Sequence, residues 1–216
     1  MRLFSLAALL AVALQLVFGV AGATAQEGTA VAFPLTPDPA ECQVAPRQQD
    51  EVLTLLTGTP VAAASPATSR LSAVPSEADL PAGSPADAAT VAGIVTTARE
   101  LIACNNAGEF TRVLAFFTDD FIREAFGGDP ALAAQVAASF ATPAATLPAA
   151  AHTELLDVRG VRVLDDGRVG AVIEDRDPQQ TVVFFMIFVH VGDRWLIDGQ
   201  ISVQAAATPT AGTPPA

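Results

Sequence analysis

Two hydrophobic rhythms divide the chain. Between residues 87 and 140, apolar side chains recur every three or four positions. Val91, Ile94, Val95, Ala98, Leu101 and Ile102 form one set, Phe110, Val113, Leu114 and Phe117 a second, and Leu132, Val136 and Phe140 a third. Each set falls on one helical face. Ser84-Pro85-Ala86-Asp87 reads as a capping box with proline at the first helical position. Asn105, Asn106 and Gly108 end that helix. A second helical stretch starts at Glu109, and Asp119-Asp120 opens a further turn with Phe121, Ile122 and Phe126 before Gly127-Gly128 stops it. Asp129-Pro130 caps a third helix over 131–140. Beyond a Pro/Ala-rich loop, the period becomes two. Thr153–Leu164, Val169–Asp175, Thr181–Val191 and Arg194–Val203 read as four strands. Asp165-Asp166-Gly167-Arg168, Asp177-Pro178-Gln179-Gln180 and Gly192-Asp193 supply the turns between them. Three helices followed by an antiparallel meander predict an α+β fold, with helices packed on one face of a curved four-stranded sheet. The third strand is apolar on both faces, so its second face needs a cover: a partner chain, the 26–56 segment, or both.

The flanks read differently. Arg2 precedes a stretch from Leu3 to Gln26 that carries no charge, and Ala23-Thr24-Ala25 places small residues where a signal peptidase cuts. Residues 1–25 are therefore expected to be a signal peptide on a secreted or extracytoplasmic protein. The alternative is an uncleaved N-terminal helix that anchors the chain. Residues 26–56 form an extension in which Pro34, Pro37, Pro39 and Pro46 exclude regular structure, followed by a short amphipathic helix over Asp50–Leu56. Residues 57–86 and 205–216 have the Ala/Pro/Ser/Thr composition of a linker and a disordered tail. The folded domain is thus expected over 87–204.

The residues Asn106-Ala107-Gly108-Glu109-Phe110, then Val113-Leu114, then Phe116-Phe117-Thr118-Asp119-Asp120-Phe121 resemble the first helices of the nuclear transport factor 2-like superfamily, in its SnoaL-like branch. Gly192-Asp193-Arg194-Trp195-Leu196-Ile197-Asp198 is similar to that superfamily's last strand. The resemblance implies a cone-shaped α+β barrel enclosing a pocket, and homodimers through the outer sheet face. It does not imply an activity, because the superfamily holds isomerases, dehydratases, cyclases, ligand-binding modules and dimerisation domains.

Charge narrows the partners. All 11 basic residues are Arg, against 23 acidic ones, for a net charge of −12. This excludes a nucleic-acid binder and a basic membrane-surface patch. After cleavage no stable membrane insertion is expected. Two Cys and two His cannot close a four-ligand zinc site without carboxylates, and no phosphate loop or G-x-S-x-G motif is present, so no metal and no cofactor are implied. The absence of Tyr removes the oxyanion donor that an isomerase of this fold would use. His190, on an apolar strand face, is the candidate base, or else a rim residue. His152 sits beside the Pro/Ala loop. Asp119, with Asp120, offers carboxylates at a pocket mouth or caps a helix. Asp198 points into the cone or lies at an edge. Arg159 and Arg162 have opposite parity on the first strand, so that one faces inward as an anion anchor or both pair with surplus carboxylates. The acidic cluster of Asp165, Asp166, Glu174, Asp175 and Asp177 lacks EF-hand spacing and reads as a solvated rim. Phe117, Phe121, Phe184, Phe188 and Trp195 are expected to line the pocket. Cys42 and Cys104, outside the cytosol, are expected to pair, with two buried free thiols as the alternative. The function read from these residues is a secreted small-ligand-binding or dimerisation module, the alternative being a lyase or isomerase acting on a small apolar substrate. Sequencing the N-terminus of protein recovered from the medium of a secreting host is expected to read from Gln26; a start at Met1 would mean that the leader is an anchor.

Overall fold

The computed structural model describes residues 32–58, 74–141 and 144–204. The expected signal peptide, half of the linker and the tail lie outside the described residues. Five helices, α1 (Gln49–Thr57), α2 (Ala88–Asn106), α3 (Phe110–Val113), α4 (Asp119–Phe126) and α5 (Pro130–Phe140), pack with five strands, β1 (Gly83–Pro85), β2 (Glu154–Leu164), β3 (Val169–Arg176), β4 (Thr181–Val191) and β5 (Arg194–Ser202). The fold is α+β. The strands lie in chain order in one antiparallel sheet with β1 and β5 at its edges, so the sheet is open. This corrects the closed cone of three helices and four strands.

The extra elements have local causes. The further turn expected at Asp119-Asp120 is a helix of its own, α4, because Thr118 is an N-cap: its hydroxyl accepts from the Phe121 N–H, and Phe117 and Thr118 lie along β5, where the Thr118 N–H donates to the Ile197 carbonyl at 2.9 Å. α2 begins one turn later than Ser84-Pro85 suggested. Asp87 is its cap, accepting from the Thr90 N–H at 2.7 Å, while Gly83–Pro85 pair with Arg162–Leu164 as β1. Proline on so short an edge strand costs no ladder bond and blunts the edge. The other end of β2 is covered by Leu35, which exchanges two backbone hydrogen bonds with Leu155.

The sheet buries both faces. Val169, Ala171, Ile173, Met186, Phe188 and Ile197 face the helices, whereas Leu164, Val172, Val183, Phe185, Ile187 and Val203 form a second core on the opposite face. β5 supplies residues to both because of a bulge. Ile187 opposes Gly199 and Phe188 opposes Ile197, which leaves Asp198 as the extra residue and reverses the alternation after it.

Among the described residues, 32–56 contribute nothing to the core of the outer face. Residues 74–82 cross it as a strap. Leu80 is buried in the outer core, the Pro75 carbonyl accepts from the Gln204 N–H at 2.9 Å, and Glu77 pairs with Arg159. Arg162 lies over the Phe185 ring, 5.1 Å from its centroid. The composition of 57–86 suggested linker throughout, but one leucine and one proline suffice to dock its last third. The N-terminal segment packs on the helix side instead, adding Val44, Val52, Leu55 and Leu56 to the main core. Cys42 and Cys104 form a disulfide across 62 residues of chain. By the chain-entropy account, closing a loop of that length stabilises by about 4 kcal/mol.

Gly170 on β3 lies under the Phe185 ring, and a Cβ there would collide with it; a Cβ on Gly199 would meet Ile187 at 3.4 Å, an ordinary contact. In urea denaturation Gly170→Ala is expected to lose about 1–3 kcal/mol by overpacking, and Gly199→Ala to lose none.

Candidate functional site

The aromatics expected to line the cone pack against one another and against the main core. Phe117 and Phe121 stack at 5.4 Å between centroids, and Phe126 meets Phe121 edge-on. Phe188 has no exposed surface, and Phe184 and Trp195 pack partly buried against the same core. Trp195 can approach α2 only because residue 93 is glycine: a Cβ there would lie 2.5 Å from the indole nitrogen. All five of these aromatics thus lie in or against the core between helices and sheet.

The three polar candidates are held apart, each on its own partners. His190 is exposed at the end of β4 and packs edge-on to Trp195, 4.7 Å between ring centroids. Asp198, re-aimed by its bulge, accepts from the Thr118 hydroxyl at 2.9 Å and pairs with Arg168 at 3.0 Å. Asp119 opens α4 and pairs with Arg47 at 2.7 Å. No hydrogen bond joins any two of the three. His152 is also engaged, its Nε2–H donating to the Leu147 carbonyl at 2.9 Å. Arg159 and Arg162 share the outer face, where the bulge between them cancels their opposite parity: Arg159 pairs with Glu77, Asp157 and Glu174, and Arg162 covers Phe185. Among the described residues no group of three or more His, Cys, Asp or Glu is placed to hold a metal ion.

Concave surface occurs elsewhere, on the face built by α1, α3 and α5. One depression of about 510 Å³ is lined by Gln49, Glu109, Phe110, Thr111, Ser139 and Phe140, with Gly108, Ala144 and Ala145 closing it. A second of about 630 Å³ continues from it along the start of α1, sharing Gln49 and Thr111 and reaching Arg47, Asp50 and Leu53. Phe110 is 43 % exposed, an uncommon state for a large aromatic ring, and its ring lies 6.5 Å from that of Phe140. Helical spacing put Phe110 in the core with Val113 and Leu114. The single turn of α3 rotates it outward instead. The sequence signal for this was the Gly108-Glu109 break directly before it, since Gly108 takes a left-handed φ of 70°.

The groove's frame is set by arginines whose sequence neighbours gave no hint of their roles. Arg47 donates to the Leu114 and Phe117 carbonyls at 3.0 and 2.6 Å and pairs with Glu51 and Asp119. Arg112 donates to the Cys42 and Val44 carbonyls, and Arg99 forks onto Glu41, whose carboxyl it holds below the usual range. These bonds and the disulfide fasten the N-terminal segment to the domain, and with it the wall that Gln49 provides.

One carboxyl stands out electrostatically. Asp175 lies on the helix-side face of β3, opposite Leu155 and Val182. Burial, and then the nearby Asp177 charge, push it up to about 6. Among the described residues it makes no ion pair.

Comparison with protein-family models, with curated proteins and with solved structures yields no match. Among the described residues no helix is long and apolar enough to cross a membrane.

A carboxyl whose folded value is raised from 3.8 to about 6 stabilises the fold fully only below the lower value, and that stability is lost as the pH rises through the higher one. Asp175→Asn is therefore expected to raise Tm at pH 7.5 and to bring no gain at pH 3.5. An equal gain at both pH values would show that the carboxylate is not desolvated.

Proposed function

We propose that the protein is a secreted, non-catalytic ligand-binding module of the SnoaL-like type, in which the binding face has moved from the cone interior to the outer groove between α1, α3 and α5. The observation that carries this reading is the contrast between the two places. The interior is packed with Phe117, Phe121 and Phe188, whereas the groove exposes Phe110 beside Phe140 in a concavity of about 510 Å³, within the size range of small-ligand sites. The order of helices followed by an antiparallel meander supports the resemblance. The disulfide, buried at both cysteines, supports an oxidising compartment.

A lyase or isomerase needs an acid and a base within reach of one substrate. His190, Asp198 and Asp119 are instead spent on Trp195, on Thr118 with Arg168, and on Arg47. Dimerisation through the outer sheet face would require the 74–82 strap to leave the apolar surface it covers. Ligand capture at the groove needs neither change.

Titrating a neutral aromatic fragment library into isotope-labelled protein covering residues 26–216 tests the reading by NMR. Shift changes are expected at Gln49, Phe110, Thr111 and Phe140. Changes centred on Phe184, Phe188 and His190 would return the site to the cone and overturn it.

A further inference from the structure

We infer that the groove is built for an extended peptide segment of a partner protein that carries a basic side chain next to an apolar one, an inference that rests on the groove being the binding face. Three observations lead there.

The first is shape. The two depressions join through Gln49 and Thr111 into one trough that runs from Pro46 to Ala145. A trough suits a chain better than a compact molecule.

The second is the wall formed by residues 144–146. It is exposed, has no regular secondary structure, and its backbone makes no hydrogen bond to a described residue. Its close approach is allowed by Gly108, where a Cβ would collide with the Ala145 carbonyl. A backbone free of bonds to described residues, beside the exposed Phe110 ring and the partly buried Phe140 ring, is the arrangement that main-chain pairing with an extended peptide uses, with side-chain pockets adding selectivity.

The third is charge. Asp50 is exposed and makes no ion pair, and the Glu109 carboxylate reaches only Arg112, at 3.9 Å. Arg47 is the one cation lining the trough among the described residues, and its guanidinium is occupied by two carboxylates and two carbonyls. The trough therefore presents the Asp50 carboxylate, unpaired among the described residues, and the loosely paired Glu109 carboxylate beside Phe110, Phe140 and Leu53. An arginine or lysine side chain would meet Asp50 or Glu109 while a neighbouring aromatic or branched side chain covers Phe110. The net charge of −12 favours the approach of basic partners.

The test is fluorescence anisotropy on protein covering residues 26–216, with the end-capped, fluorescein-labelled hexapeptide GRFRVG and its charge-reversed form GEFEVG as probes. GRFRVG is expected to bind about tenfold or more tightly than GEFEVG, a difference of about 1.4 kcal/mol or more. Phe110→Ser is expected to weaken GRFRVG about tenfold, and Asp50→Asn with Glu109→Gln to remove most of the preference between the peptides. All three positions are exposed or partly so, and an unchanged Tm verifies that the variants fold. His190→Ala, on the sheet, is expected to leave binding as it is. Equal binding of the two peptides, or binding indifferent to Phe110→Ser, overturns the inference. If neither peptide binds while neutral fragments still shift Phe110 and Phe140, the peptide assignment fails and the groove stands. If fragments also leave those residues untouched, both readings fail.

Discussion

The last turn of α2 is the point on which the rest depends. Asn106 is fully buried, and an amide placed there must find partners for every polar atom or destabilise the fold. It finds them in three separate pieces of chain. Its Nδ2 donates to the carbonyls of Pro37 and Thr153, its Oδ1 accepts from the Thr153 N–H at 2.8 Å, and its backbone carbonyl accepts from the Leu147 N–H. Two residues earlier, Cys104 is bonded to Cys42. One turn of helix thus fixes the N-terminal segment, the loop before β2 and the start of β2 itself. The groove inherits its shape from this junction, since Gly108 follows directly and seats the 144–146 wall.

The arginines extend the same logic. Without lysine, the chain places a planar, multidentate cation at every basic position. Arg47 and Arg112 use that fork to bind backbone carbonyls, and so join segments as hydrogen-bond donors to the main chain more than as ion-pair partners. Most of the surface pairs, such as Arg123 with Asp120 and Arg176 with Glu154, contribute little by comparison.

How much of this could be read from the chain follows from the range of the forces involved. The periods of 3.6 and 2, the cap at Asp129 and the turn at Asp166-Gly167 are local, and each lies where the pattern put it; the cap of α2 moved from Ser84 to Asp87 because β1 takes Gly83–Pro85. The start of α4 at Asp119 was also legible, but its cap was not, because Thr118 looks like an interior polar residue until its contact with β5 is known. The strap was hidden because Leu80 alone does not make a hydrophobic segment; only the bare outer face of β4 gives it something to cover. The apolar third strand did announce that a cover exists, without saying which stretch supplies it. The aromatics at 117, 121, 184, 188 and 195, expected to line a pocket, lie in or against the core between helices and sheet. Whether such a layer encloses space or fills it depends on side-chain volumes across several elements, which no single stretch of sequence encodes.

The strap and the Leu35 pairing together impose an order on assembly. Leu35 needs Leu155, and Pro75 needs Gln204 at the far end of β5. The early part of the chain therefore holds the lids for both sides of a sheet that is made last. As the polypeptide emerges from its N-terminus, those lids have nothing to close over until nearly all of it is out. Contacts of such long sequence separation make for slow folding. A chain that must wait in this way keeps both ends of its sheet uncapped for as long as its synthesis lasts.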